Sequence, residues 1–558
     1  MAVIMYLCGF FSLAFSLSCF TPFSGWAIVG TLFSVAFSLV YLIQAFRFRK
    51  EPDRKKFGVL RKLLEYLPFV LFAVFIFRRA GAVDAPFVLD LIAVILWLLA
   101  SIASVVILFR FSEKRVRKWF PALEEPAKKK KTIAVQALEW VDALVQAACL
   151  VLLIELFIFQ LYAIPSESMV PEFLIGDRVF VLKTPSGPKF PLSDVGIPRM
   201  RSYKRGDIVV FNNPHYNDTK ANRVRSFASQ LVYMLTFTGV NINRDEFGAV
   251  KADPLVKRVT GVPGEKLMLV DGVLYHKRSG DKEFTPVPED ATWATWNVSG
   301  LPRSQLEHVR TVPLSSDQFT LLESVESTRA NLDLIQAEKE ARDLVSRFAA
   351  LKPKPDTVTE APDLFPQSHR EMVAMFQSSD DVTRVLLTTN GGLTWFRDFM
   401  TAWVDKQGRA NLFDDRSMRL DLLVKLDFGR LIVRNAELFA ANSTADQFNA
   451  DQTRRKILAE ADTYRFYLEV HDQRNMGEFP AGKDEYIPAD CFFMMGDNRF
   501  NSLDMRHSYT MHLAPVDPDD SYSFVYRSNL DPQYVPVSKI LGTASFRFWP
   551  LSRMGVPE

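Results

Sequence analysis

The size and composition of the chain indicate several domains, one of them rich in apolar residues. The chain has 558 residues, of which 48% are hydrophobic and 13% aromatic. The net charge is only +3, so the chain as a whole gives no argument for binding to nucleic acid. The four cysteines form no CxxC pair, and the seven histidines form no HExxH or HxH pair. We therefore expect no metal site and no cofactor.

The apolar residues are concentrated near the N-terminus, where we predict about five transmembrane helices. A helix that crosses a bilayer needs about 20 predominantly apolar residues, and most of the segments have that length. The segments lie at about 1–20, 26–46, 63–77, 87–109 and 139–163. Residues 1–163 are accordingly predicted to form an α-helical membrane region.

The basic residues of this region predict its orientation in the membrane. Residues 47–62 and 110–131 are strongly basic, and basic loops stay in the cytoplasm. Two cytoplasmic loops need an even number of crossings between them, so the short segment 63–77 is counted as a crossing together with 87–109. The N-terminus is then cytoplasmic, and the chain after residue 163 lies outside. A solvated face or a nucleic-acid patch is the alternative for the basic residues, and the flanking apolar segments argue against it.

Arg78, Arg79 and Glu155 are among the charged residues within or beside the predicted membrane segments. Arg78 and Arg79 follow segment 63–77 on its outer side, where we expect them to snorkel to the interface. Glu155 lies near the middle of the last segment. An acid in a membrane helix is often functional, but a position facing a neighbouring helix explains Glu155 equally well.

The chain after residue 163 changes to short β-branched or apolar runs separated by Gly, Pro and Asp. This pattern predicts a mainly antiparallel β domain. Between two groups of such runs, residues 300–470 have helical periodicity, and residues 321–349 place their apolar side chains on one helical face. We therefore predict a β domain in two parts, 164–299 and 471–558, interrupted by a large, mainly helical insertion at 300–470.

Four polar motifs lie beside these strand-like runs. They are PSESM (165–169), RGDIVVF (205–211), VKRVTGVPGEK (256–266) and MMGDNRFNSLDMR (494–506). Lys257 and Arg258 are neighbours in a strand, so one of the two must point inward. Burial lowers the pKa of a lysine, and a neutral amine can act as a general base that activates a serine without a histidine. From this pattern alone, a solvated lysine or one half of an ion pair is the favoured interpretation.

Taken together and in this order, the four motifs resemble those of the bacterial type I signal peptidases (leader peptidases), a family of Ser–Lys proteases. The resemblance covers the last membrane segment to about residue 267, and then about residue 485 to the C-terminus, including ILGTASFRFWPLSRMG near the end. It implies a membrane-bound serine endopeptidase that removes signal peptides from exported preproteins. Such an enzyme cleaves after small residues at the outer face of the membrane.

The resemblance also implies roles for individual residues. The nucleophile falls on Ser168 and the general base on Lys257, while Ser166 supplies a hydroxyl to the oxyanion hole. The supporting residues are Ser502, which orients the lysine amine, and the ion pair of Asp504 with Arg506, with Arg258 nearby. Apolar pockets that accept small substrate residues are implied at Ile164, Met169, Val210 and Val256. No cofactor or metal is implied.

The sequence departs from the family pattern at two positions. Glu167 stands between the two serines, where a glycine is common, and Phe500 stands where GDNR is usually followed by Asp. We expect Glu167 to alter the substrate preference and Phe500 to add apolar surface near the membrane. The helical insertion at 300–470 has no counterpart in the pattern.

The partners and the location follow from the same resemblance. We expect signal-peptide-bearing preproteins, the lipid bilayer and the export translocon as partners, with no nucleic acid. The expected location is the cytoplasmic (inner) membrane, with the catalytic domain on the extracytoplasmic, periplasmic side. Two alternatives remain open. One is a specialised Ser–Lys protease for a single exported substrate, and the other is a non-catalytic membrane scaffold that uses the insertion as a binding module.

Overall fold

The computed structural model describes most of the chain. The described residues are 2–20, 25–81, 85–112, 115, 132–216, 219–236, 239–240, 242–244, 251–404 and 409–558. Most of the predicted basic loop at 110–131 therefore lies outside the described residues.

The described part of the N-terminal region is helical. Its helices are Ala2–Ser18 (α1), Gly25–Lys50 (α2), Arg54–Gly81 (α3), Phe87–Arg110 (α4) and Ile133–Phe157 (α5). By length and composition, α2, α4 and α5 are able to cross a membrane, as predicted for their segments. Helix α1 is apolar but shorter, and α3 begins with a basic turn. A crossing by α1 or α3 stays a prediction.

Polar side chains join the helices of this bundle to one another. The Tyr41 hydroxyl on α2 donates to the backbone carbonyl of Met5 on α1 at 3.0 Å. Between α4 and α3, the Trp97 indole N–H donates to the carbonyl of Pro68 at 2.8 Å. Helix interfaces in membranes are commonly held by such hydrogen bonds, since little hydrophobic driving force acts between the helices.

The last membrane helix is shorter than predicted. Helix α5 ends at Phe157, and Phe159–Ala163 (β1) pairs antiparallel with Arg178–Leu182 (β2). The predicted helix to residue 163 is therefore wrong at its C-terminal end, because these residues find a strand partner. Glu155 consequently lies close to the end of the helix, where its backbone carbonyl accepts a hydrogen bond from Lys183 Nζ at 3.2 Å.

Arg78 and Arg79 do not snorkel, and this prediction is wrong. Both side chains are buried and pair with Asp90 on α4, at 2.9 and 3.3 Å. From the outer domain, the Ser193 hydroxyl donates to the same carboxylate at 2.6 Å, and Arg79 Nε donates to the carbonyl of Leu192 at 2.7 Å. A buried charge needs a partner, and Asp90 lies within reach of both arginines.

The residues around Ser193 also carry an aromatic contact with the helix bundle. We call residues 187–196 the docking loop. Its Phe190 ring packs against a group of aromatic rings at centroid distances between 4.8 and 6.1 Å. These rings belong to Phe72, Phe75, Trp97 and Phe157. The outer domain is therefore fixed to the helices by an ion-pair cluster and by a buried aromatic side chain.

The outer domain contains antiparallel sheets, which confirms the predicted antiparallel β class. Its further strands are Ile208–Phe211 (β3), Leu255–Gly261 (β4), Glu265–Val270 (β5), Val273–Arg278 (β6), Thr285–Pro286 (β7), Met476–Phe479 (β8), Cys491–Met495 (β9), His507–Pro515 (β10), Val525–Leu530 (β11), Val535–Pro536 (β12) and Ile540–Trp549 (β13). The larger sheet has the order β1-β2-β13-β3-β4-β9-β12, and a smaller one has the order β7-β6-β5-β8. Strands β10 and β11 form a separate hairpin.

Helices fill the stretch between β7 and β8, after a first helix that lies between β3 and β4. The helices are Lys220–Leu235 (α6), Asp290–Trp293 (α7), Arg303–Leu306 (α8), Ser316–Ala330 (α9), Leu334–Leu351 (α10), Met372–Gln377 (α11), Ser379–Thr388 (α12), Gly392–Thr401 (α13), Leu412–Ala440 (α14), Ala445–Ala450 (α15) and Gln452–Arg474 (α16). The single helix predicted at 321–349 is two helices, because Asp333 caps α10 through the backbone N–H groups of Ile335 and Gln336.

The helical core of this stretch extends to the β10–β11 hairpin. Helix α14 runs through its centre and is buried on most sides. From the hairpin, Val516, Phe524 and Tyr526 join the same apolar cluster. The helices therefore pack on a part of the chain that follows them in sequence by many residues.

Candidate active site

Strands β3 and β4 carry the motif that contains Lys257. Val209 lies opposite Lys257, and Ile208 lies opposite Arg258. Both Lys257 and Arg258 are buried, with 3% and 2% of their surface exposed. The expectation that one of the two points inward is met by both, because this strand lies inside the sheet between β3 and β9 and its residues from Lys257 onward are all buried.

The structure brings the two predicted dyad residues together. Ser168 lies in the turn after β1, and only 8% of its surface is exposed. Lys257 Nζ donates a hydrogen bond to Ser168 Oγ at 2.5 Å. The Ser166 hydroxyl lies 3.3 Å from the Ser168 hydroxyl. A serine, an amine and a second hydroxyl thus meet within hydrogen-bond distance.

The surroundings of Lys257 shift its protonation equilibrium. Burial lowers the pKa of Lys257 to about 8, although the charges of Asp504 and Asp497 oppose part of this effect. No carboxylate of the described residues forms an ion pair with Lys257. Burial disfavours the charged ammonium, so a sizeable share of the side chain is the neutral amine near pH 8. A neutral amine beside a serine hydroxyl is suited to accept its proton.

We call residues 165–170 the nucleophile turn, after the role predicted for Ser168. Ser502 is buried beside this turn but does not hydrogen-bond to Lys257 in the structure. Its hydroxyl has no hydrogen-bond partner among the described residues. A side chain on Gly496 would clash with Ser502 Oγ and with the carbonyl oxygen of Ser168. The absence of a side chain at Gly496 therefore allows this close packing, and a role of Ser502 in orienting the lysine stays a prediction.

Asp504 and Arg506 form the predicted ion pair. Arg506 Nε donates to Asp504 Oδ1 at 2.9 Å, and both side chains are fully buried. The other oxygen of Asp504 accepts the backbone N–H of Gly496 at 2.9 Å. Burial raises the pKa of Asp504, but the Arg506 guanidinium outweighs it and holds that pKa well below its usual range. Asp504 therefore stays negatively charged behind the site, and Arg506 compensates that charge.

Arg258 forms a separate pair. Its guanidinium donates to both oxygens of Asp497, at 2.8 and 2.7 Å, and stacks over the Trp293 ring at 4.9 Å. Burial raises the pKa of Asp497, while Arg258 lowers it in part. A buried bidentate pair of this kind fixes the orientation of both side chains, and here it ties β4 to the 496–506 segment.

Sequence reasoning did not assign roles to Asn498 and Arg499. The backbone N–H of Asn498 donates to the Ser168 carbonyl at 3.1 Å, so this residue holds the nucleophile turn directly. Arg499 is fully buried and pairs with Asp290 at 2.5 and 3.0 Å. Both residues belong to the quoted MMGDNRFNSLDMR motif, which could have identified them as site residues. Asp290 lies far away in sequence and belongs to none of the quoted motifs.

The four predicted pocket residues belong to one apolar cluster beside the nucleophile. Ile164, Met169 and Val210 are buried in it, and Val256 packs at its border. Val210 and Val256 lie directly opposite each other on β3 and β4. That this cluster receives substrate side chains stays a prediction. Among the described residues, no group of three or more His, Cys, Asp or Glu side chains is arranged to hold a metal ion.

Comparison with known proteins shows which protein family the chain matches. Residues 137–306 and 430–549, together just over half of the chain, match the family described as signal peptidase, peptidase S26. The match leaves out residues 307–429, which make up most of the helical insertion.

Individual relatives match over shorter stretches. Signal peptidase I of Buchnera aphidicola subsp. Schizaphis graminum is 43% identical over 75 residues, which are 13% of this chain and 24% of that protein. Signal peptidase I T of Bacillus subtilis is 30% identical over 151 residues, 27% of this chain and 53% of that protein. Signal peptidase I of Bacillus licheniformis is 28% identical over 141 residues, 25% of this chain and 48% of that protein. The chain thus spans about a quarter to about half of the length of these relatives.

Proposed function

This chain belongs to the signal peptidase family, peptidase S26, and from that premise we propose that it is a membrane-bound serine endopeptidase that removes signal peptides from exported preproteins. The observation that carries the proposal is the 2.5 Å hydrogen bond between Lys257 Nζ and Ser168 Oγ. Burial lowers the pKa of Lys257 to about 8, so the amine is able to act as the base of a Ser–Lys dyad.

The dyad performs peptide cleavage in two steps. Lys257 accepts the Ser168 proton while Ser168 Oγ attacks the scissile carbonyl, and the Ser166 hydroxyl donates to the developing oxyanion. The Lys257 ammonium then protonates the leaving amine, the peptide bond breaks, and an ester joins the signal peptide to Ser168. In the second step Lys257 removes a proton from water, which hydrolyses the ester and restores both side chains.

The substrate class follows from the same site. The apolar cluster that contains Ile164, Met169, Val210 and Val256 is of the type that accepts small side chains before the cleaved bond. We assign to it the small residues, usually alanine, at positions −1 and −3. The partners are preproteins with signal peptides and the lipid bilayer, with the export translocon as the source of emerging chains.

The proposed topology has five membrane crossings, with the catalytic domain outside an inner membrane, and two contacts support the crossing by α3. The first turns of α3 contact the first half of α5, where Lys62 Nζ and the Tyr66 hydroxyl lie 2.5 and 2.7 Å from the Asp142 carboxylate. At its other end, α3 contacts the docking loop through Arg79 and Leu192. Helix α3 therefore runs alongside α5 in the same direction. Its 28 residues span about 42 Å, longer than the hydrocarbon core of about 30 Å.

The insertion favours one narrower candidate, a processing protease dedicated to a particular exported substrate. The family match leaves out residues 307–429, although this stretch begins directly beside the nucleophile turn. A panel of preproteins separates the two candidates, since a general enzyme cleaves most of them and a dedicated enzyme cleaves one.

The proposed function is tested with the full chain in detergent. We expect a preprotein to be cleaved at its signal-peptide junction, and we expect a penem-type acylating probe to label the protein. Ser168→Ala should abolish both signals while its thermal unfolding stays that of the native chain. If Ser168→Ala cleaves at the native rate, the assignment is wrong. If the native chain is neither labelled nor active on any preprotein, the scaffold interpretation replaces the proposed function.

A further inference from the structure

The side chain between the two serines points into the helical insertion. Glu167 is buried, with 6% of its surface exposed. One of its carboxylate oxygens accepts the backbone N–H of Arg310, and the other accepts the backbone N–H of Thr311 at 3.2 Å. Both residues lie in the segment that leads into α9. The side chain next to the nucleophile is therefore bound by the chain that opens the insertion.

Glu167 also contacts the segment that follows β9. The Asn501 side-chain amide donates to Glu167 Oε2 at 3.1 Å, and the Asn498 amide donates to the backbone carbonyl of Glu167 at 3.0 Å. The backbone N–H of Asn498 donates to the next carbonyl, that of Ser168. One residue thus connects the nucleophile turn, the 498–501 segment and the start of the insertion.

An aromatic contact joins the same two segments a few residues away. Phe500 lies edge-on to Trp296 at 5.3 Å and to Phe319 on α9 at 6.4 Å, and it packs against the core of the insertion. The expectation that Phe500 adds apolar surface near the membrane does not describe this position. Both residues that depart from the family pattern, Glu167 and Phe500, contact the insertion.

The charge of Glu167 explains why these donors matter for the reaction. A carboxylate one residue from Ser168 opposes the negative charge that develops on the oxyanion, and the opposition is strong where water is excluded. Three N–H donors bind the Glu167 carboxylate, two from Arg310 and Thr311 and one from Asn501. Hydrogen bonds to a charged acceptor are short and strong, so they hold the carboxylate away from the reacting atoms and disperse its charge.

We propose that the insertion is a positioning element of the active site, which acts through Glu167. The backbone N–H groups of Arg310 and Thr311 bind the Glu167 carboxylate, fix the turn that carries Ser168 and disperse the adjacent charge. Glu167 is then a positioning residue that does not touch the substrate. This inference rests on the proposed function, because it concerns the rate of the Ser168 reaction.

The test compares variants of the full chain in detergent, with kcat and KM on a preprotein and the rate of acylation of Ser168 by a penem. Glu167→Gln replaces one acceptor oxygen with an NH2 group that faces an N–H donor, and we expect the loss of position to outweigh the removal of the negative charge. We therefore expect kcat and the acylation rate to fall about tenfold with KM within about twofold, which is less than the roughly 10²-fold cost of a 1 Å misplacement. Asn501→Asp sets a second carboxylate against Glu167, and we expect a larger fall in kcat. Combining the two changes should return kcat to the level of Glu167→Gln.

Asp271→Asn is the matched control. Asp271 lies in the turn between β5 and β6, and its carboxylate binds Arg329 of the insertion. The substitution removes a carboxylate contact between the β domain and the insertion without changing the nucleophile turn. We expect Asp271→Asn to keep kcat within about twofold of the native value, because the hydrogen bonds of Asp271 are with Arg329, Arg474 and Asn475 and not with the turn that carries Ser168.

The outcomes decide the inference in each case. The inference is overturned if Glu167→Gln has the native kcat. It is also overturned if kcat falls equally in Asp271→Asn, because the insertion would then have a structural role only. Failure of the double variant to recover also overturns it. If Glu167→Gln does not fold, Asn501→Ala removes a single donor, and an unchanged acylation rate then overturns the inference. Cleavage by Ser168→Ala would instead overturn the proposed function, so the two failures are distinguishable.

Discussion

The β domain and the helical insertion each bury a lysine completely, and the two lysines differ in their partners. On β4, Lys257 contacts a serine hydroxyl, and burial lowers its pKa to about 8. On α14, Lys425 contacts Asp520 at 2.5 Å and Asp421 at 3.2 Å. Burial also acts to lower the pKa of Lys425, but the two carboxylates outweigh it and raise that pKa.

The difference shows that burial alone does not produce a base. A buried amine becomes neutral only where no carboxylate compensates for the loss of water. At the candidate site, Asp504 is the acid whose charge acts most on Lys257, and its oxygens bind Arg506 and the backbone of Gly496. The insertion has the opposite arrangement, in which two acids hold one cation. The first region is suited to proton transfer and the second to stability.

The largest expected effect is on catalysis. Lys257→Met removes the proposed base while it fills most of the same volume with an apolar side chain. We expect kcat on a preprotein to fall about 10³- to 10⁴-fold, which is the upper part of the range for a general base. Thermal unfolding should not occur at a lower temperature, since a buried amine without an acid partner is replaced by an apolar group. A near-native kcat for Lys257→Met would contradict the role of Lys257 as the base, and with it the difference drawn between the two lysines.

Lys425→Met tests the other region. The substitution leaves Asp421 and Asp520 buried without their cation, and we expect the free energy of unfolding to fall by about 3–5 kcal/mol. Denaturant unfolding of the detergent-solubilised chain measures the change. The kcat per folded molecule should remain within about twofold, because Lys425 has no contact with the nucleophile turn. A selective loss of kcat with native stability would remove the distinction between the two lysines.

Ser166→Ala measures how far the site depends on the second hydroxyl. Ser166 lies 3.3 Å from Ser168 and is the proposed side-chain donor to the oxyanion. Loss of one oxyanion donor costs about 10²- to 10³-fold in rate, so we expect a smaller fall than for Lys257→Met. A fall in kcat with an unchanged KM is expected, because the donor acts in the transition state. An unchanged kcat would exclude Ser166 from that role.

The pH dependence of the two lysines should have opposite signs. Below pH 8, Lys257 becomes protonated and cleavage should fall about tenfold per pH unit. Between pH 8 and 10.5, the unfolded chain holds a proton on Lys257 that the folded chain lacks, so this group makes stability rise with pH. Lys425, with its raised pKa, contributes stability that is lost as the pH rises through its folded pKa. A cleavage profile without a titration near pH 8 would contradict the assignment of Lys257.

The site was predictable from the sequence to the extent that its motifs are local. Ser168 and Lys257 lie in short motifs, and the resemblance of the four motifs to those of a known family predicted their roles, since the VKRV pattern alone favoured a solvated or ion-paired lysine. The contact of Glu167 with Arg310 and Thr311 was not predictable, because it joins segments more than 140 positions apart. The pairing of Arg78 with Asp90 likewise needs the packing of α3 on α4 and of the docking loop on both.

The fold shows the same division between local and distant information. The antiparallel strands of the outer domain were predicted as a class, since apolar runs and turn residues mark them. Helix α14, at Leu412–Ala440, lies within the predicted helical insertion, but its bounds were not predicted, because it is buried on most sides and therefore lacks a clear polar face. The end of α5 was placed too late because Phe159–Ala163 is apolar, and only its pairing with β2 makes it a strand.

A third buried lysine gives the smallest expected effect and the sharpest control. Burial lowers the pKa of Lys183 to about 8, as it does for Lys257. Lys183 Nζ donates to the Glu155 carbonyl and to Gln160 Oε1, each at 3.2 Å, so it holds the end of α5. Among the residues that the structure describes, it makes no hydrogen bond to a serine hydroxyl. We expect Lys183→Met to lower stability by about 1–3 kcal/mol, the cost of leaving buried acceptors unpaired, and to leave kcat within about twofold. A large loss of kcat in Lys183→Met would mean that a lowered pKa is itself the functional property. The expected result would show that the base is defined by its contact with Ser168.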